Sequence, residues 1–196
     1  MPLEEYTAKI DARKSRLKEA LAEVLEGNEL PLCLEIGSGH GHWMVDFASV
    51  HSDRFCLGVD IMGKRIRKSN QKLERAALSN AAFIQGEAFE TLDSLPEGMA
   101  LKEAFILFPD PWPKKRHWKN RIINPQFLSS LAQRCAAGVR VYFRTDVFDY
   151  YEWALEVVGE HQDWDILESA EWPFERETIF QGKAESYNSL VFARSE

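Results

Sequence analysis

Five carboxylates stand where a short apolar run gives way to a polar turn: Glu35, Asp60, Glu87, Asp110 and Asp146. Acids held at such points can pair with a cation, accept hydrogen bonds from hydroxyl or ring N–H donors, or stabilise positive charge that develops in a reaction. Asp110 has the most distinctive setting. It lies in Phe108-Pro109-Asp110-Pro111-Trp112-Pro113, after the apolar run Ala104 to Phe108, which reads as a buried strand. Prolines carry no ladder hydrogen bond and hold the preceding residue extended, so the acid is presented rigidly at a strand's end. Behind it come Lys114, Lys115, Arg116, Lys119 and Arg121, interleaved with His117, Trp118 and Asn120, the pattern of a loop that grips nucleic acid. A proline-stiffened turn followed by a solvated charge run is the plainer reading, but here acid, stiffening and basic loop coincide at one strand end.

Glu35 precedes the turn Gly37-Ser38-Gly39-His40-Gly41. The Gly-x-Gly-x-Gly spacing departs from the Gly-x-Gly-x-x-Gly of dinucleotide sites, and an acid so close would repel a pyrophosphate. A cofactor with a cationic amino-acid end and no phosphate fits better. Asp60, at the tip of the second strand, can bind a ribose diol or cap the following helix. Asp146 is a polar strand tip or the N-cap of the next helix.

These acids need a scaffold. Leu17, Leu21, Val24 and Leu25 predict an amphipathic helix over residues 3–26 that stops at Gly27-Asn28. Strands are expected at 31–36, 54–59, 82–85, 104–108 and 139–144. Helices are expected from residue 42 or 43 onward, over 63–78 (burying Ile66, Leu73 and Ala77), from an Asn124 cap and Pro125 to Gly138, and around Val147 to Val158. Strand-like pieces at 166–167 and 190–193 close the chain as a hairpin. Alternation of strand and helix followed by a strand pair is an α/β sheet in one domain, with residues 1–28 packed on it.

The chain of 196 residues is 45% apolar and 28% charged, with no run long enough to cross a bilayer and no signal-peptide core near residue 1. A cytoplasmic protein without a membrane partner is expected. Cys33, Cys56 and Cys135 lack metal or redox spacing and read as small buried hydrophobes; no metal is expected. The net charge of −7 argues against general attraction to nucleic acid, but the charge is uneven: residues 64–75 hold six Lys or Arg and one acid.

The signature at 108–117, with Leu34-Glu35-Ile36-Gly37-Ser38-Gly39, Thr145-Asp146 and Thr178-Ile179-Phe180, resembles bacterial tRNA (guanine-N7)-methyltransferases. The resemblance covers nearly the whole chain. It implies a Rossmann-like S-adenosylmethionine-dependent fold, mostly parallel and seven-stranded, with an antiparallel C-terminal strand. It also implies methylation of guanine 46 in the tRNA variable loop by a monomer or homodimer. Glu35, Gly37, Gly39, Asp60, Glu87 and Asp110 then fall on the cofactor positions, with Asp110 also catalytic. Lys114, Asp146, Thr178, Ile179, Phe180 and Gln181 fall on substrate positions, and Arg116 to Arg121 on the RNA loop.

Asp60 and Glu87 exchange Glu and Asp relative to the family's usual pattern and keep the charge. Gln181 stands where the family has Glu. Two other readings stay open: an amino-group methyltransferase, whose Asp-Pro-Pro-aromatic loop resembles Asp110-Pro111-Trp112, and a non-catalytic RNA-binding subunit on the same fold.

Overall fold

The computed structural model describes residues 3–176, 182, 184 and 186–196. Thr178, Ile179, Phe180 and Gln181 lie outside the described residues. The elements run α1 (Leu3–Leu25), β1 (Leu32–Ile36), α2 (His42–Val50), β2 (Phe55–Asp60), α3 (Gly63–Ala76), β3 (Ala81–Gln85), α4 (Ala88–Ser94) and β4 (Leu101–Leu107). A 3-10 turn (Lys115–Asn120) precedes α5 (Pro125–Ala132), β5 (Cys135–Thr145), α6 (Phe148–Gly159), β6 (Trp164–Ile166) and β7 (Asn188–Arg194).

The strands form one seven-stranded sheet in the order β3-β2-β1-β4-β5-β7-β6. β7 is antiparallel to both neighbours, and the pairs among β1 to β5 are parallel. Alternating strand residues feed two cores. Leu32, Leu34, Ile36, Leu57 and Val59 pack with α1, α4, α5 and α6, whereas Cys33, Cys56, Phe105 and Tyr142 pack with α2 and the buried side of α3. Arg13 of α1 pairs with Glu90 of α4, so an ion pair joins the apolar contacts of Leu17, Leu21 and Leu25 in holding the first helix.

Three local departures from expectation stand out. The helix from Asn124 stops at Ala132, not Gly138, and Cys135 opens β5 instead of lying in a helix. Leu101 pairs with Cys135 and donates to the Arg134 carbonyl, and the register then shifts to Glu103↔Arg140 through a bulge holding Gly138 at φ +78. Helix α4 was not expected; the Glu87 side chain caps it by accepting from the Glu90 backbone N–H. Ala77 is the left-handed, exposed residue that ends α3, and Ser69 rather than Ala77 is buried beside Ile66. The closing strand pair is as expected: β6 and β7 run antiparallel, with residues 167–187 between them. Among the described residues no helix is long and apolar enough to cross a membrane.

Candidate active site

The chain lays β2 and β3 to one side of β1 and then returns to place β4 on the other. In open α/β sheets such a reversal leaves a crevice at the carboxyl ends of the two central strands. β1 delivers Glu35 and the glycine turn there, and β4 delivers the proline stretch with Asp110.

Gly37, Gly39 and Gly41 all have positive φ (+77, +57 and +68). The backbone N–H groups of Gly37 and Ser38 donate to the Val59 carbonyl at 2.8 and 2.9 Å, which fastens the turn to β2. A side chain at Gly41 would collide with Phe83 and Ser69, so its glycine is a packing requirement. Above Gly37 there is open space, and above Gly39 only the Gly37 carbonyl at 3.9 Å. The turn is therefore pinned beneath and open above, as a cradle for a ligand must be.

Glu35 is 4% exposed, and its Oε2 has no hydrogen-bond partner among the described residues; Ser38 Oγ is in the same position. Burial, reinforced by the nearby Asp60 carboxylate, pushes the Glu35 carboxyl up to about 8. A buried polar atom without a partner costs about 1–3 kcal/mol, and a cationic donor placed here would remove that cost. Asp60 is equally buried but well supplied. Its Oδ1 accepts from Met62 N–H (2.8 Å), and its Oδ2 from Gly39 N–H (3.1 Å) and Arg65 Nη1 (3.3 Å). It thus serves the start of α3 and the glycine turn together, and Oδ1 keeps a free lone pair.

Asp110 is exposed at the end of β4. Phe108 and Trp112, two residues before and after it, both adopt positive φ (+51 and +47), a conformation that costs a non-glycine residue about 1–2 kcal/mol. Three contacts hold this strained arch. Phe108 N–H donates to the Arg144 carbonyl at 2.8 Å. Arg121 Nε donates to the Pro111 carbonyl at 3.0 Å, and Arg121 Nη1 to the Asp149 carbonyl at 3.0 Å. Arg121 is 0% exposed, its guanidinium 4.2 Å from the Trp118 ring centre and 4.7 Å from that of Tyr150. Burial lowers its pKa, opposed by Tyr150 and Asp149. Arg121, expected on the RNA loop, is buried here, with Nε on the carbonyl that follows Asp110 and Nη1 on that of Asp149.

Around it, Lys114, Arg116, Lys119 and Asn120 are exposed, and His117 is half-buried beneath Trp112. Trp118 is half-buried against Trp153 of α6. Glu87, at the end of β3, is half-buried and committed through one oxygen to its cap. Asp146 is exposed just past β5 and does not cap α6, whose N-terminus has no side-chain cap; Thr145 Oγ1 accepts from Val147 N–H.

Arg144, which the sequence reading passed over, is 4% exposed at the end of β5. It donates from Nε to Ser189 Oγ (2.8 Å) and from Nη1 and Nη2 to the two oxygens of Glu175 (3.1 and 2.6 Å). Its guanidinium lies 3.7 Å from the Trp172 ring centre and 4.9 Å from that of Tyr187. One side chain therefore ties both ends of the segment between β6 and β7 to the strand that carries Asp146. Its only trace in the sequence is a cation one residue before Thr145-Asp146 in an apolar run.

Methyltransferases are among the solved structures that share this architecture. The 16S rRNA methyltransferase KamB superposes with a TM-score of 0.64 over 89% of this chain and 92% of its own, at 17% identity. The shared fold is the Rossmann-like methyltransferase sheet. A family model described as "Putative methyltransferase" matches residues 29–191. The tRNA (guanine-N(7)-)-methyltransferase of Thermosynechococcus vestitus is 30% identical over 88% of this chain and 84% of its own length. That of Syntrophotalea carbinolica is 40% identical over 63% of this chain and 53% of its own. The chain belongs to this methyltransferase family, that of the tRNA (guanine-N(7)-)-methyltransferases. It spans about half the length of several of the curated relatives it matches.

Proposed function

We propose that this chain methylates N7 of guanine 46 in the variable loop of tRNA, with S-adenosylmethionine as the methyl donor and the cytoplasm as its compartment. The observation that carries the reading is the buried Glu35 oxygen, without a partner among the described residues, beneath an open glycine turn and at the same end of the sheet as Asp110. The cofactor's chemistry fits these residues. Its amino-acid end offers an ammonium to Glu35, the glycine turn leaves room for it, and the free lone pair of Asp60 suits a ribose hydroxyl. Glu87 follows β3 and, with one oxygen on its cap, keeps the other for the adenosine moiety. When bound, the cofactor supplies a methyl group on a positively charged sulfur.

The protein's own part is alignment and charge. Guanine N7 carries a lone pair, so no residue has to remove a proton before methyl transfer. The site has to hold the base in line with the methyl carbon, a contribution from proximity. Methylation leaves the purine cationic, and Asp110, fixed on its strained arch, is placed to stabilise that charge. Asp146 accepts from the guanine N1 and N2 donors, and Thr178 to Gln181 complete the substrate pocket. Lys114, Arg116, His117 and Lys119 hold the RNA backbone, and Trp118 and Asn120 support that loop. Because N7 has to reach the site, the guanine leaves its stack.

Incubating unmodified tRNA with methyl-labelled S-adenosylmethionine and analysing the nucleosides tests this reading. Labelled 7-methylguanosine is expected. Labelled N6-methyladenosine would instead support the amino-group methyltransferase, and tRNA binding without transfer the non-catalytic subunit.

A further inference from the structure

Helix α3 breaks three rules of helix stability at once. Its N-cap, Met62, makes no side-chain cap, and its first turn has no acid but carries Lys64 and Arg65, where the helix dipole disfavours cations. Lys64–Lys68 and Lys68–Lys72 are like charges four apart, and Lys64–Arg67, Arg65–Lys68 and Lys72–Arg75 are like charges three apart. Each such pair is destabilising. Glu74, the one acid of the helix, is three or four residues from no cation.

The helix's geometry sorts these cations. Arg65 and Lys72 turn toward the glycine turn, where Arg65 meets Asp60 and Lys72 Nζ donates to the His40 carbonyl at 2.7 Å. Lys64, Lys68 and Arg75, at spacings of four and seven, share the stripe opposite buried Ile66, with Arg67 beside them. All four are exposed, and none is in an ion pair among the described residues. The field of the cluster reaches the site: burial first, then Lys68, Lys72 and Arg65, lower the pKa of His40. In a chain of net charge −7 this is an uncompensated cationic ridge that α3 carries at the expense of its own stability.

We infer that the outer stripe of α3, Lys64, Arg67, Lys68 and Arg75, is a second tRNA-binding surface that takes the phosphate backbone. It lies on the opposite side of the sheet from the Lys115–Asn120 turn, which packs on α6. The inference rests on the proposed tRNA substrate. Phosphates are the complementary ligand because the stripe offers charge without an aromatic platform or a pocket; it therefore positions the RNA without reading its bases. A folded RNA is large enough to meet both sides of the sheet.

The test uses the full chain with S-adenosylhomocysteine and an unmodified tRNA transcript. Lys64→Gln, Lys68→Gln and Arg75→Gln are combined, leaving Arg65 and Lys72 in place. Three lost phosphate contacts should lower the slope of log affinity against log salt by about two to three units, at about 0.7–0.9 each, and weaken binding at least about tenfold near 0.1 M salt. S-adenosylhomocysteine affinity should hold, and the melting temperature should stay or rise as like-charge pairs disappear. The opposed signs, weaker tRNA binding in an equally or more stable protein, exclude misfolding as the cause. An unchanged affinity and salt slope in the variant, while the wild type forms 7-methylguanosine, overturns this inference alone. A wild type that does not bind tRNA overturns both it and the proposed function.

Discussion

Replacing Arg121 with methionine removes the two hydrogen bonds that hold the Pro111 and Asp149 carbonyls and the cation that lies between Trp118 and Tyr150. Each bond from a charged donor is worth about 1.5–3 kcal/mol, and a desolvated cation over an aromatic ring about 2 kcal/mol. Removing a buried charge returns several kcal/mol of desolvation. The expected net loss of stability is about 1–3 kcal/mol, measurable by urea unfolding. The kinetic effect should be larger than that loss alone implies. The freed carbonyl belongs to the residue after Asp110, and the positive φ values at Phe108 and Trp112 give the arch a reason to relax. A shift of about 1 Å can cost about 100-fold in rate, or roughly 2.7 kcal/mol. Turnover with saturating tRNA should therefore drop by about that factor, while the salt slope of tRNA binding stays at the wild-type value. Arg121→Lys should not restore turnover, since a single ammonium cannot reach both carbonyls in one plane. Wild-type turnover in the lysine variant, or a salt slope lowered by about 0.7–0.9 units, would refute this reasoning and return Arg121 to the RNA.

Three further outcomes are expected. Asp110→Asn should keep cofactor affinity and lower methylation about 100-fold or more; near-normal turnover would remove Asp110 from the reaction. Because the folded Glu35 carboxyl is raised to about 8, the stability it contributes is fully present below its unfolded pKa and is lost as pH rises through about 8. Melting curves of the ligand-free protein between about pH 5 and pH 8 should thus fall more steeply for wild type than for Glu35→Gln, and equal slopes would contradict the burial argument. Asn124→Ala should cost about 1 kcal/mol through loss of the cap on Phe127 N–H, and an unchanged melting temperature would show that the cap contributes nothing.

The sheet was legible because each strand is a short apolar run and each turn carries its own chemistry. The Asn124-Pro125 start and the glycine turn are set by local backbone preference, so sequence alone places them. The errors arose where distant partners decide. The Lys114 to Arg121 run reads as one RNA-gripping loop, yet aromatic residues about thirty positions later on α6 enclose its last cation. Arg144 looks like an ordinary strand residue until Glu175 and Ser189 arrive from the end of the chain. Glu87 was legible as a strand-end acid but not as a cap, because α4, only seven residues long, is too short to show a helical period. Beyond Ala132 the sequence keeps good helix formers, Gln133, Arg134, Ala136 and Ala137, up to Gly138, and pairing of Cys135 with Leu101 overrides them.

The most direct measurement compares two tRNA transcripts that differ by one ring atom, guanosine or 7-deazaguanosine at position 46. Both should bind this protein equally. With S-adenosylmethionine, the guanosine transcript should take up one methyl group per molecule as 7-methylguanosine, and the deaza transcript none. Equal incorporation into the deaza transcript would contradict methyl transfer to N7 of that base.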